Sequence, residues 1–231
     1  MPEGVRIYAI ADVHGRADLL GQAFARIDAD LGSHPTADVI EIFLGDYIDR
    51  GPNSREVIDL LIARSRDRTT VCLSGNHETY VSEFLRNPAV FDDWKQYGGL
   101  ATLQSYGLAA PIDPDPAERA ELSLAFDWRM PSSHRRFLDN LKPSFTCGDF
   151  FFVHAGVRPG VPLADQSVDD LLWIRQDFLF HEGDFGKVIV HGHTPVREPD
   201  VRSNRINIDT YAHATGQLTC LMLEGDQIMF I

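Results

Sequence analysis

The chain has 231 residues, 44% hydrophobic and 24% charged, the profile of a folded globular protein rather than of a disordered or membrane-embedded one. Its formal net charge of -13 excludes non-specific attraction to a polyanion such as duplex nucleic acid, but not recognition of a small anion by local arginines or metal. Three cysteines, Cys72, Cys147 and Cys220, are odd in number, widely spaced and set in or beside apolar runs, so they read as buried free thiols in a reducing, cytoplasmic setting.

Met1-Pro2-Glu3-Gly4 shows no basic or apolar leader, and no apolar run approaches the ~20 residues of a membrane span, so neither a secretory signal nor a membrane partner is expected. Residues 5–11 are an apolar run of strand length, ended by Asp12-Val13-His14-Gly15, and residues 17–31 follow with helical character. Asp12 and His14, two apart, would share one face of extended backbone. They read either as half of a metal site or as a helix N-cap beside a surface histidine. After a turn at 32–36, a second strand over 39–44 runs into Gly45-Asp46-Tyr47-Ile48-Asp49-Arg50-Gly51, two carboxylates and an arginine framed by glycines, before a helix from Arg55. A third strand, 69–74, ends in Gly75-Asn76-His77-Glu78 and passes at once into a helix. Three strand–loop–helix units in series predict parallel pairing with right-handed crossovers. All three polar clusters then fall at the carboxyl edge of one sheet, where ligands bind.

Residues 80–142 change character and read as a mainly helical insertion: Trp94, Tyr97, Leu100, Leu103 and Tyr106 recur around Gly98-Gly99, prolines break the chain at 111–116, and helices are expected at 117–126 and 134–141. Its aromatics read as core. Residues 145–153 predict a hairpin turning at Gly148-Asp149 and ending in His154-Ala155-Gly156. Trp173-Ile174-Arg175 follows a long loop, and a strand over 187–190 ends in His191-Gly192-His193-Thr194-Pro195. The tail reads as strands at 205–209, 218–223 and 227–230, antiparallel and forming a second sheet. His34, His134, His181 and His213 lack motif context and read as solvated. His191 reads as packing, and Glu78 as a support for its loop.

Five strand ends thus carry Asp12/His14, Asp46/Asp49/Arg50, Asn76/His77, His154 and His193. The donor set is carboxylate, imidazole and amide without thiolate, which suits Mn²⁺, Fe or Zn²⁺ rather than a structural zinc site. There are enough ligands for two ions with one bridging carboxylate, an arrangement suited to phosphate esters. These motifs, in this order and spanning residues 7–208, resemble the calcineurin-like metallophosphoesterases, and more narrowly the bacterial phosphoprotein phosphatases acting on serine and threonine. The resemblance implies that Asp12 and His14 hold one ion, Asp46 bridges, and Asn76, His154 and His193 hold the second. It implies that His77 is the general acid, oriented by Asp49, and that a metal-bridging hydroxide attacks. Arg50, Arg175 and Asn76 would hold the substrate phosphate, although Arg175 also reads as a surface ion pair. Pro195 stands where nucleases and cyclic phosphodiesterases of the wider family carry another histidine, which favours the phosphatase branch.

The fold implied is α/β (α+β): a central two-sheet sandwich of mixed strands flanked by helices, one domain over 1–231 with the insertion at 80–142 inside it. The function implied is a metal-dependent phosphatase of phosphoserine, phosphothreonine or phosphotyrosine in proteins, with two divalent ions, Mn²⁺ first. Its partner is then a phosphoprotein or small phosphoester. The rival is a diadenosine tetraphosphate hydrolase, for which Arg16, Arg55, Arg197, Arg202 and Arg205 are possible extra phosphate contacts. In that group the position of Asp49 is often not acidic, so Asp49 favours the phosphatase. A non-catalytic phosphate-binding protein is the third reading, but no ligand or acid is missing to support it.

Overall fold

The computed structural model describes residues 1–36, 38–111 and 113–231; Ile112, in the expected break at 111–116, lies outside the described residues. The chain opens with β1 (Val5–Ile10), α1 (Ala17–Ser33), β2 (Asp38–Phe43), α2 (Ser54–Asp67), β3 (Thr70–Cys72) and α3 (Asn76–Arg86). β1, β2 and β3 are parallel neighbours in that order, as three successive strand–loop–helix units require. Helices then dominate: α4 (Phe91–Trp94), α5 (Gly99–Ser105), α6 (Pro116–Arg129) and α7 (Ser132–Asp139). Asp115 caps α6 with its carboxylate on two backbone amides, and Pro116 occupies the first turn. β4 (Ser144–Cys147) and β5 (Phe150–Val153) form the expected hairpin.

The rest comprises α8 (Val168–Trp173), α9 (Gln176–Leu179), β6 (Val188–His191), β7 (Asp200–Val201), β8 (Arg205–Asn207), α10 (Ala212–Thr215), β9 (Cys220–Glu224) and β10 (Gln227–Phe230). The tail does not form a sheet of its own. β8 pairs parallel with β6 in the sheet β4-β5-β6-β8-β7, while β9 and β10 join the first sheet in the order β10-β9-β1-β2-β3. The reason is the composition of β9. Leu221 and Leu223 face one core, Cys220 and Met222 the other, and all four are buried. A run that is apolar on both faces needs cover on both faces, which the place between β10 and β1 supplies.

The two sheets pack face to face. Ile7, Ala9, Ile42 and Val71 of one meet Phe152, Val190 and Ile206 of the other. Alternate residues point outward: Tyr8, Ile10 and Phe43 pack under the helices of the first half, and Phe151 and Val153 under α8 and α9. One charged pair is sunk into this scheme. Glu41 of β2 is 1% exposed and takes a bidentate contact from Arg64 of α2, at 2.8 and 2.7 Å. Arg64→Met leaves that carboxylate unpaired, and stability should fall by about 3–5 kcal/mol. An unchanged denaturant midpoint would show that the pair contributes nothing.

Cys72, Cys147 and Cys220 are all free, but only Cys220 is fully buried. Among the described residues, no helix is long and apolar enough to cross a membrane.

Candidate active site

The polar clusters converge because the loops carrying them touch through backbone. Gly45 has φ 100°, and a Cβ there would lie 2.4 Å from the Gly75 nitrogen; a Cβ on Gly51 would lie 2.1 Å from the His14 carbonyl oxygen. Glycine is therefore a steric requirement at both ends of the 45–51 loop. The His14 and Gly15 amides donate to the carbonyls of Asp46 and Tyr47, both at 2.8 Å, and Gly51 donates back to His14 at 3.1 Å. Glu78 fastens the third loop: its carboxylate accepts from the amides of Asp46 (2.9 Å), Tyr47 (2.8 Å) and Gly75 (2.9 Å). It supports the loop, as its place in the motif suggested.

Asp12, His14, Asp46, Asp49, Arg50 and His193 all have φ between 40° and 69°. Left-handed backbone is uncommon outside glycine and costs of order 1–3 kcal/mol per residue where it is strained. The extended geometry expected at Asp12 and His14 is therefore wrong. Each sits in its own sharp turn, and they point to different partners. Asp12 accepts the His193 amide on both oxygens, at 3.2 and 3.1 Å, whereas His14 points at Asp46 with Nε2 3.5 Å from Oδ2.

Two groups of side chains are close enough to share an ion: His14 with Asp46 and His77, and Asp46 with His154 and His193. Asn76 joins the second, its Oδ1 lying 2.9 Å from both His154 Nε2 and His193 Nδ1. Asp46 belongs to both groups. Asp12 stands outside these two groups, and His77 occupies the corner expected of it.

The tautomers test whether a cation fits. His14 Nδ1 lies 2.8 Å from the Ile48 carbonyl and His154 Nδ1 3.0 Å from the Leu44 carbonyl. A carbonyl only accepts, so both protons sit on Nδ1 and both Nε2 lone pairs face Asp46. His14 Nε2 is buried with no hydrogen-bond partner. Lone pairs converging on a carboxylate, with no proton between them, are stable around a positive ion. Burial drives His14 and His154 below the ordinary histidine range, and burial with the neighbouring His154 takes His193 down to about 2. Neutral imidazole is the ligand form. Asp46 moves the other way: burial disfavours its charge, but the surrounding histidines His154, His77 and His14 outweigh that and hold it far below the usual carboxylate range.

His77 is built differently. Its Nδ1 lies 2.7 Å from Asp49 Oδ2, and its Nε2 3.2 Å from Arg50 Nη2. Burial works against its charged form, yet Asp46 and Asp49 prevail and its pKa is raised. Asp49 is fully buried and held by two side chains: Trp94 Nε1 donates to Oδ2 at 2.9 Å and Thr102 Oγ1 to Oδ1 at 2.5 Å. Sequence reasoning placed Trp94 among the core aromatics and passed over Thr102; 45 and 53 residues separate them from Asp49. Asp209 was also missed. It is buried near Asp12 and helps to raise the Asp12 pKa, while burial, with the charge of Asp46, takes Asp209 itself to about 6. A carboxylate at the end of a strand was the available signal.

Arg175 reaches Thr194 Oγ1 at 3.3 Å and, with Arg50 and His193, lines an open cavity of about 490 Å³. Lys95 also lines it, tied to Asp92 at 3.0 Å. Among the described residues, none of Arg16, Arg55, Arg197, Arg202 and Arg205 lines this cavity. Arg205 is buried, donating to the carbonyls of His181 and Leu179. His191 is buried against Phe178 and belongs to neither candidate ion group. Of the histidines expected in solvent, His34 is exposed, His181 and His213 are partly buried, and His134 is fully buried between Tyr106 and Asp59.

A family model described as calcineurin-like phosphoesterase matches residues 5–216. The chain belongs to that family. The family uses divalent metals, and this phosphoesterase carries donor groups that suit them. It is 28% identical to the asymmetrical bis(5'-nucleosyl)-tetraphosphatase PrpE of Anoxybacillus flavithermus, across 92% of this chain and 88% of that one. Its fold matches a structure provisionally described as a diadenosine tetraphosphatase, with TM-score 0.67 and 17% identity over 100% of this chain and 94% of that one. It also matches a cold-active protein tyrosine phosphatase of a psychrophilic Shewanella species, with TM-score 0.66 and 16% identity over 100% and 80%. At such identities the two structures establish the fold of this calcineurin-like phosphoesterase and no more.

Proposed function

We propose that this phosphoesterase hydrolyses dinucleoside polyphosphates of the diadenosine tetraphosphate type, cutting them asymmetrically into a nucleoside triphosphate and a nucleoside monophosphate. The observation that carries this is the likeness to bis(5'-nucleosyl)-tetraphosphatases along nearly the full length of both chains. It reverses the order of the two readings that Asp49 suggested. Asp49 holds the acid in place whichever oxygen leaves, so its presence does not by itself select a phosphomonoester.

In the proposed mechanism His14 and Asp46 would hold one divalent ion, and Asp46, Asn76, His154 and His193 would hold the other, Mn²⁺ being the first candidate, while Asp12 fixes the His193 backbone. When bound, two such ions supply Lewis-acid activation of the attacking water and of the phosphoryl group. Arg50 and Arg175 grip the phosphate with paired N–H donors. Arg50 can only donate, so His77 Nε2 accepts from it in the free site and the imidazole proton sits on Nδ1. A phosphate that takes the Arg50 guanidinium frees Nε2 to take up a proton from solvent and pass it to the leaving oxygen, with Asp49 holding Nδ1–H and stabilising the cation in between.

The second reading, a phosphatase of phosphoserine, phosphothreonine or phosphotyrosine, keeps one specific support: a buried Asp–His pair suits a strongly basic leaving oxygen. Incubation with Mn²⁺ and either diadenosine tetraphosphate or phosphopeptides separates the two. We expect ATP and AMP in equal amounts from the dinucleotide and much slower phosphate release from the peptides. Faster turnover of a phosphopeptide would reverse the assignment, and two ADP per dinucleotide would refute the asymmetric cut.

A further inference from the structure

We infer that Tyr211 is a stacking platform for the nucleobase nearest the scissile bond; the inference rests on the dinucleoside polyphosphate reading. Tyr211, Tyr97 and His213 line the same cavity as Arg50, Arg175 and His193. Its volume of about 490 Å³ lies within the ordinary range of small-molecule sites. The arginines account for phosphate, and the phosphate chemistry leaves the tyrosine rings without a task. Tyr211 is 40% exposed; Tyr97, 42% exposed, already stacks on Tyr80 at 5.4 Å, which leaves Tyr211 as the candidate platform.

The backbone of Tyr211 sharpens the case. It has φ 60° and ψ 46°, the left-handed region that disfavours a large side chain and suits glycine. Its amide donates to Asp209 Oδ1 at 2.9 Å, a bond that any residue other than proline would make. The turn's backbone therefore does not need tyrosine, and 40% of the residue still faces solvent. The ring does lie close to the chemistry. It meets His213 edge-on at 4.4 Å between centroids, and His213 meets His14 at 5.2 Å.

Substrate geometry points to the same place. An asymmetric cut in a four-phosphate chain leaves one nucleoside a single phosphate from the broken bond, so its base must lie beside the arginines. A base stacked on an aromatic ring gains roughly tenfold or more in affinity, whatever the base. The phenyl ring of a phosphotyrosine is the competing occupant.

The test compares wild type, Tyr211→Gly and Tyr211→Phe with Mn²⁺ present. It reads KM for diadenosine tetraphosphate, the inhibition constant of inorganic tripolyphosphate, and KM for a phosphotyrosine peptide. Glycine suits the backbone, and a thermal melt no lower than wild type checks that the variant folds. In Tyr211→Gly, KM for the dinucleotide should rise about tenfold while tripolyphosphate inhibition moves less than twofold, and Tyr211→Phe should restore the dinucleotide value. An unchanged dinucleotide KM in Tyr211→Gly, or an equal loss for tripolyphosphate, would overturn the inference alone. A loss confined to the phosphotyrosine peptide would overturn it in favour of a phenyl group. Wild type that leaves the dinucleotide intact would overturn the functional reading and the inference together.

Discussion

Asp46→Asn should abolish hydrolysis of every phosphate substrate and remove bound metal in the same step. The residue is 2% exposed and is the side chain that both candidate ion sites share. His14 Nε2 lies 3.5 Å, His154 Nε2 3.4 Å and His77 Nε2 3.8 Å from its carboxylate. Its charge is the main anionic feature that these imidazoles face. The amide keeps the shape, and its carbonyl oxygen can still accept from the His77 amide, which now sits 3.1 Å from Oδ1. The fold should therefore survive while the charge that attracts two cations is lost. The expected fall in activity is at least about 10²–10³-fold, the range for losing a group that stabilises transition-state charge. Metal content by elemental analysis and far-UV circular dichroism read the two halves separately. A variant with wild-type activity would sink the shared-carboxylate model, and an unfolded one would show that Asp46 is needed for folding.

His77→Asn should show an effect that depends on the leaving group. A histidine held by a buried aspartate serves to protonate the departing oxygen, a contribution worth about 10²–10⁴-fold where that oxygen is strongly basic. An alkyl phosphate such as phosphoserine leaves as a basic alkoxide and should lose that full factor. A nucleoside polyphosphate leaves as a phosphate, whose last proton titrates near ~6, and p-nitrophenyl phosphate leaves as a stabilised phenolate. Both should lose less, on the order of tenfold. Asp49→Asn should follow the same ranking with a smaller amplitude, because it acts through His77 rather than on the substrate. Equal losses on all three substrates would show that His77 serves the metal cluster and not the leaving group. The distinction matters because His77 also sits within reach of His14 and Asp46 as a possible ligand corner.

The position of Asp49 also shows where sequence reasoning stopped. Its pairing with His77 followed from the motif, but the residues that fix it did not. Trp94 and Thr102 come from the helical stretch after α3, and nothing local distinguishes their side chains from ordinary core. Likewise the five arginines proposed for a long phosphate chain were chosen by charge. The cavity is instead lined by Arg50, Arg175 and Lys95, because cavity lining depends on how loops pack and not on how many cations the chain carries.

By itself the sequence determined the strand–loop–helix series, the parallel first three strands, the hairpin at 145–153 and the side chains at the strand ends. These are local signals: apolar runs of strand length, glycines beside Asp, Asn and His, and helical spacing, each legible within about ten residues. Only the tertiary structure decided the sheet that β9 joins, the left-handed turns that separate Asp12 from His14, the burial of His134 and the cavity that brings Tyr211 near the arginines. The contact between the His193 amide and Asp12 spans 181 residues. Such contacts are set by which faces need cover and which backbones can approach, and no period in the sequence encodes them.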